Sequence, residues 1–157
     1  MSEFMLKMRP SNYGHAVAIV REAMGDMQAE RAAQSFGDHE SYDQRHAWVL
    51  RIDKADVGLG GYYIDPYCEG LAWLSYFAVR PQCQGNGYGG GILRYVEGRC
   101  VKLGFTRMLI ETYTSEQYRP AVAFYHRNGY TVKGSLADYM PDGSTILYLG
   151  KDLEVTE

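Results

Sequence analysis

A chain of 157 residues, 46% hydrophobic and 22% charged, has enough apolar surface to bury the core of one domain, residues 1–157, and is neither a disordered nor a fibrous composition. Its formal net charge of −3 lacks the strongly basic balance of non-specific nucleic-acid binding, so no nucleic-acid partner is expected. No apolar run approaches the ~20 residues that span a bilayer, and the N-terminus has no signal-peptide core, so no membrane partner is expected and the expected compartment is the cytoplasm.

Residues 5–8 read as a short strand stopped by Arg9-Pro10. Ser11 or Asn12 then caps a helix whose apolar positions are Ala16, Ile19, Val20 and Ala23. Ala32, Ala33 and Phe36 mark a second short helix inside the polar stretch 26–45. Residues 46–52, 57–64 and 71–79 read as three strands, the first two joined by a turn at Asp53-Lys54-Ala55-Asp56, which predicts an antiparallel meander. Five glycines fall within residues 82–91, followed by a helical pattern of Ile92, Leu93, Val96, Cys100 and Leu103 that Gly104 ends. Residues 108–112 form a strand, 120–127 a helix stopped by Gly129, and 130–132 and 145–149 the closing strands. The order predicts a mixed α/β fold: a meander, one strand–helix–strand crossover, then a helix and two strands.

Cys68, Cys83 and Cys100 have neither paired spacing nor an accompanying histidine rhythm, so they read as reduced structural thiols and no metal is expected. Residues 1–70 carry eleven acids against seven bases, and residues 71–157 eight against nine. An anionic ligand therefore favours the second half and a cationic one the first.

The richest chemical signal is the segment from Val79 through Arg80, Pro81, Gln82, Cys83, Gln84, Gly85, Asn86, Gly87, Tyr88, Gly89, Gly90 and Gly91, between a buried strand and a helix N-terminus. Glycines there let a ligand approach the backbone, and exposed N–H groups at the helix start form an anion site suited to phosphates, to which Arg80 could add charge. The P-loop pattern is missing. Gly85, Gly87 and Gly90 do satisfy G-x-G-x-x-G, with Glu111 placed 21 residues later like a ribose-binding acid. Against a dinucleotide fold stand the five residues between Val79 and Gly85, the preceding meander, and the 46 residues after Glu111, too few for a second mononucleotide half.

Gln84-Gly85-Asn86-Gly87-Tyr88-Gly89 resembles the Q/R-x-x-G-x-G/A signature of the GNAT (GCN5-related N-acetyltransferase) superfamily. The run AVAFYHRNGY at residues 121–130 resembles its second hallmark, an alanine followed by a tyrosine and then Gly-aromatic. The resemblance implies a mostly antiparallel sheet of about seven strands flanked by about four helices, with the fourth and fifth strands splayed for pantetheine. It implies acetyl-CoA as co-substrate, with backbone groups around Phe77 and Val79 on the pantetheine and acetyl carbonyl. Gln84, Gly85, Gly87, Tyr88, Gly89 and Gly90 then hold the pyrophosphate. Many members carry asparagine seven residues before the helix tyrosine; Tyr118 stands here, within an E-T-x-x-x-x-x-Y-x-P pattern at residues 111–120 that resembles a bacterial subset.

The implied activity is acetyl transfer to a primary amine by direct attack, through a tetrahedral intermediate. Tyr125 matches the family tyrosine that protonates the leaving thiolate, Glu111 is the candidate base, and the Val79 N–H is the candidate oxyanion donor. Ser75 and Tyr76 are candidates to face the acceptor, and Asp65 and Glu69 to attract a cation, or else to serve as plain turn residues. His46 and His126 read as structural. A small cationic amine is the expected acceptor, with a protein N-terminus or lysine as the alternative. A non-catalytic acetyl-CoA sensor would keep the glycine loop without needing Tyr125 or Glu111. Homodimers are frequent in the superfamily, which makes a second copy of the chain a candidate partner.

Overall fold

The computed structural model describes residues 3–37 and 45–154. Among these are seven strands and four helices: β1 (Glu3–Lys7), α1 (Tyr13–Met24), α2 (Asp26–Gly37), β2 (Arg45–Ile52), β3 (Ala55–Ile64), β4 (Leu71–Val79), α3 (Tyr88–Lys102), β5 (Arg107–Tyr113), α4 (Arg119–Arg127), β6 (Thr131–Leu136) and β7 (Ile146–Asp152). The strand order is β1-β2-β3-β4-β5-β7-β6. By internal packing the chain divides into two units, one of residues 1–64 and 75–98, the other of residues 65–74 and 99–157, so both β4 and α3 contribute to each.

In the first unit β1 pairs antiparallel with β2, and β2 with β3, the first step of the meander expected of β2, β3 and β4. Asp53 and Lys54 turn the β2–β3 hairpin with φ of 47° and 73°, the left-handed pair that a two-residue hairpin of right-twisted strands requires. Asp65 N–H donates to Leu71 O (3.2 Å) and Arg80 N–H to Val57 O (2.8 Å), which makes β3 and β4 antiparallel. Ala16, Ile19 and Val20 of α1 and Ala29 and Ala32 of α2 bury against Val49, Leu59 and Ala78 on one face of these strands. Ala33, one of the residues that mark this helix in the sequence, is exposed, because the buried stripe of α2 runs through Ala29 and Ala32. On the other face Gly58 and Gly60 lie under α3: a methyl at Gly60 would come 2.5 Å from Ile92 Cγ2, and one at Gly58 2.8 Å from Ile92 Cδ1. Their missing side chains are what let the helix lie close.

In the second unit β4 pairs in parallel with β5 through Leu71↔Arg107, Ala72↔Met108 and Trp73↔Leu109, the predicted crossover through α3. Parallel pairing needs a crossover of this kind, because a tight turn returns the chain antiparallel. β5 and β6 each pair antiparallel with β7. Met108, Ile110, Thr112, Leu149 and Tyr130 are buried, and Lys151 Nζ sits 5.5 Å over the Tyr130 ring. Leu103, assigned to the apolar stripe of α3, is 58% exposed: the helix ends at Lys102, and Gly104 with φ of 88° turns the chain before Leu103 can face inward.

Candidate functional site

The β4-to-α3 segment is braced by its own side chains. Pro81–Cys83 forms a single 3-10 turn, with Cys83 N–H donating to Arg80 O at 2.8 Å. Gln84 Nε2 donates to Val79 O at 3.0 Å, and Asn86 Nδ2 to Cys83 O at 3.0 Å. Gly85 and Gly87 take φ of 85° and 81°, a region closed to most L-residues, and a methyl at either would meet open space. The carbonyls of the turn are thus covered by amide side chains. The helix's backbone ladder begins with Gly91 N–H to Gly87 O at 3.1 Å, so the N–H groups of Tyr88, Gly89 and Gly90 precede it and point out of the helix start. No acid lies in the first turn of α3 to occupy them. Turn and helix start together suit an anion that is held by main-chain donors.

Arg80 does not join this site. Its Nε donates to Asp56 O at 2.7 Å and its Nη1 pairs with Glu22 of α1, so the charge expected beside the loop is held by the neighbouring helix and strand. Arg94 takes that place. It is exposed one turn past Gly90 in α3, with Nη1 3.0 Å from where a methyl at Gly90 would stand. Its signal in the sequence is the i, i+4 spacing from Gly90, fainter than that of an arginine at the strand end.

Strand β4 breaks its alternation just before the loop. Tyr76 has φ of 31°, a positive value rare for an aromatic residue and costing about 1–3 kcal/mol. Its ring packs edge-on against Phe36 of α2, 5.4 Å between centroids. The Phe77 ring lies toward Gly60, and Val79 is buried at the strand end.

The second unit holds the titratable candidates. Tyr125 is buried in α4, with its ring near Phe124 (5.7 Å) and Tyr130 (6.1 Å). Burial pushes its phenol above the usual range, so it stays protonated through neutral pH. Glu111 is exposed on β5, two residues before the strand end, and accepts a hydrogen bond from Tyr113 Oη at 3.1 Å. Burial first, then the Glu111 carboxylate, pushes the Tyr113 phenol up to about 12. Asp65 accepts from Trp73 Nε1 and from Tyr67 N–H, both at 2.8 Å, which hold its carboxyl below the usual range; it is a turn residue. His46 stacks on Tyr62, and His126 Nδ1 lies 2.9 Å from Tyr130 O, structural placements as expected. Among the described residues no group of three or more His, Cys, Asp or Glu could hold a metal ion, and no helix is long and apolar enough to cross a membrane.

Several solved structures share this fold. A GNAT-family protein from Desulfovibrio desulfuricans is 20% identical, with a TM-score of 0.90 over 98% of this chain and 100% of that one. The ribosomal-protein-S18-alanine N-acetyltransferase from Escherichia coli is 16% identical, with a TM-score of 0.80 over 99% and 97%. An aminoglycoside 6'-N-acetyltransferase complexed with coenzyme A is 15% identical, with a TM-score of 0.79 over 100% and 99%. The chain matches none of the curated proteins. Residues 16–130 match the family model described as Acetyltransferase (GNAT) family, a span that takes in both the glycine turn and Tyr125. This chain belongs to the GNAT acetyltransferase family.

Proposed function

We propose that this protein is an N-acetyltransferase that moves the acetyl group of acetyl-CoA to a small cationic primary amine. The observation that carries the reading is the glycine turn at residues 84–90, where side-chain amides cover the carbonyls and the helix-start N–H groups are turned outward. A diphosphate suits such a donor set, and the coenzyme A complex of the structural neighbour supports it. Gln84, Gly85, Gly87, Tyr88, Gly89 and Gly90 hold the diphosphate, with Arg94 adding a charge. Phe77 and Val79 line the pantetheine along the end of β4.

Glu111 accepts a proton from the incoming ammonium, leaving the nitrogen lone pair to attack the acetyl carbon. The Val79 N–H donates to the oxyanion that forms. As the carbon–sulfur bond breaks, Tyr125 gives its proton to the departing thiolate and recovers one from the nitrogen, which sheds it on becoming an amide. The net products are the acetamide, coenzyme A thiol and one proton. Tyr125 suits this role in holding its proton at neutral pH.

Thiol release measured over a panel of amines, beside a calorimetric titration with acetyl-CoA, tests the reading. Acetyl-CoA binding with amine-stimulated thiol release is expected. Binding without any stimulation would make the protein a sensor, and no binding would remove the transferase reading altogether. Glu111→Gln removes the proton acceptor, so amine-stimulated thiol release should fall about tenfold or more while acetyl-CoA still binds, and unchanged release would exclude the carboxylate as base.

A further inference from the structure

Glu111 does not stand alone on its strand. Residues 107, 109, 111 and 113 of β5 share one face, the one that is not buried, because side chains alternate along a strand. Tyr148 of β7 is the direct register partner of Glu111 and so shares that face. The Tyr148 ring meets Trp73 edge-on at 6.0 Å. Tyr113 donates its phenolic proton to Glu111, and the Tyr118 ring lies 5.1 Å from the Tyr113 ring. Tyr139, 52% exposed in the β6–β7 connection, is near enough that its charge would disfavour ionisation of both Tyr113 and Tyr148.

The result is one carboxylate among five aromatic side chains of a single unit. Among the described residues no cation is paired with Glu111. The base on the same strand face, Arg107, reaches Cys68 Sγ at 3.4 Å instead. Aromatic faces attract cations through their quadrupoles, and a carboxylate adds the opposite charge. Tyr113 and Tyr148 are held as neutral phenols, which keeps competing negative charge from their part of the wall, and the Tyr113 hydrogen bond fixes one oxygen of Glu111.

We propose that Glu111, Tyr113, Tyr118, Tyr139, Tyr148 and Trp73 form a binding site for an alkylammonium group. The proposal rests on the transferase reading only for the fate of the bound group: if that reading holds, the acceptor is an aliphatic primary ammonium whose alkyl chain lies against the phenol rings. Tyr113 is then a positioning residue that acts through Glu111.

The test is a titration of the whole protein, without acetyl-CoA, with n-butylammonium and with its neutral counterpart 1-butanol. Tyrosine and tryptophan ring resonances in the NMR spectrum report binding. The cation is expected to bind about tenfold or more tightly than the alcohol. Glu111→Gln should weaken the cation about tenfold while leaving the alcohol unchanged, and Tyr139→Leu, at an exposed position, should weaken it by about threefold. A parallel acetyl-CoA titration separates the two claims. Equal binding of cation and alcohol, or none of either, overturns the cage even where acetyl-CoA binds. Selective cation binding in a protein that ignores acetyl-CoA supports the cage and overturns the transferase reading.

Discussion

At residues 84–90 the groups offered to a ligand are main-chain N–H donors, and the side chains of Gln84 and Asn86 serve to hold the turn in shape. On the open face of β5 and β7 the roles are reversed: the main chain pairs strand to strand, and what the face presents is side chains, Glu111 and its tyrosines. The first arrangement depends on absent side chains and tolerates changes in the residues between the glycines. The second depends on which side chains a register brings opposite one another. A main-chain site can therefore be written as a short local motif, whereas a side-chain site is assembled from residues scattered over the sequence.

Substitutions can break this contrast or sharpen it. Gly87→Val should have the largest effect: a left-handed φ costs an L-residue ~1–2 kcal/mol and the lost amide contacts a similar amount, so acetyl-CoA affinity should fall about 100-fold in calorimetry. An affinity that survives the change would mean that side chains, not the backbone, bind the cofactor. Gly60→Val tests whether the glycines of β3 serve packing alone. It should lower stability by about 1–3 kcal/mol in thermal melting, by forcing Ile92 away.

Tyr125→Phe should lower turnover about tenfold or more while acetyl-CoA binds as before, since only a proton is removed. Equal loss of binding and turnover would assign the tyrosine to packing. The smallest effect belongs to the charged cluster at Asp56, which receives Arg51 Nε and faces His15 Nδ1, both at 2.8 Å. Burial favours the neutral acid there, but Arg51 and His15 outweigh it and hold the carboxyl below its usual range. Its contribution to stability is complete above the ordinary carboxylate range and is lost as pH falls through the depressed value. His15 is largely exposed, so His15→Ala should cost less than about 1 kcal/mol at neutral pH, read by denaturant unfolding.

Much of the fold is legible in the sequence because its signals are local. Strand β4 matches residues 71–79 at both ends, and the stripe Ile92, Leu93, Val96 and Cys100 is buried as its spacing requires. The final strands run longer than expected: pairing with β7 carries Gly134, Ser135 and Leu136 of β6 into extended backbone, and pairing with β5 carries Lys151 and Asp152 of β7. The glycine turn is evident from its residues alone, but the arginine beside it is Arg94 and not the expected Arg80, since nothing local tells that Glu22 and Asp56 converge on Arg80. Tyr113, Tyr139 and Tyr148 escape a reading of the sequence for a similar reason: only the register that sets Tyr148 opposite Glu111 makes them a group. Charge summed by halves of the chain does not find that face either, because Glu111 lies in the less acidic half.

The short reach from Gln84 back to the Val79 carbonyl bears on which residues that position can accept. The clasp needs a nitrogen-borne hydrogen at the end of a flexible stem, which glutamine and arginine both supply and glutamate does not. A signature that allows either of the first two is therefore a requirement for a donor, and neither size nor charge decides it. Gln84→Arg should keep the turn closed, whereas Gln84→Glu would set a carboxylate against a carbonyl, with no hydrogen to close the clasp.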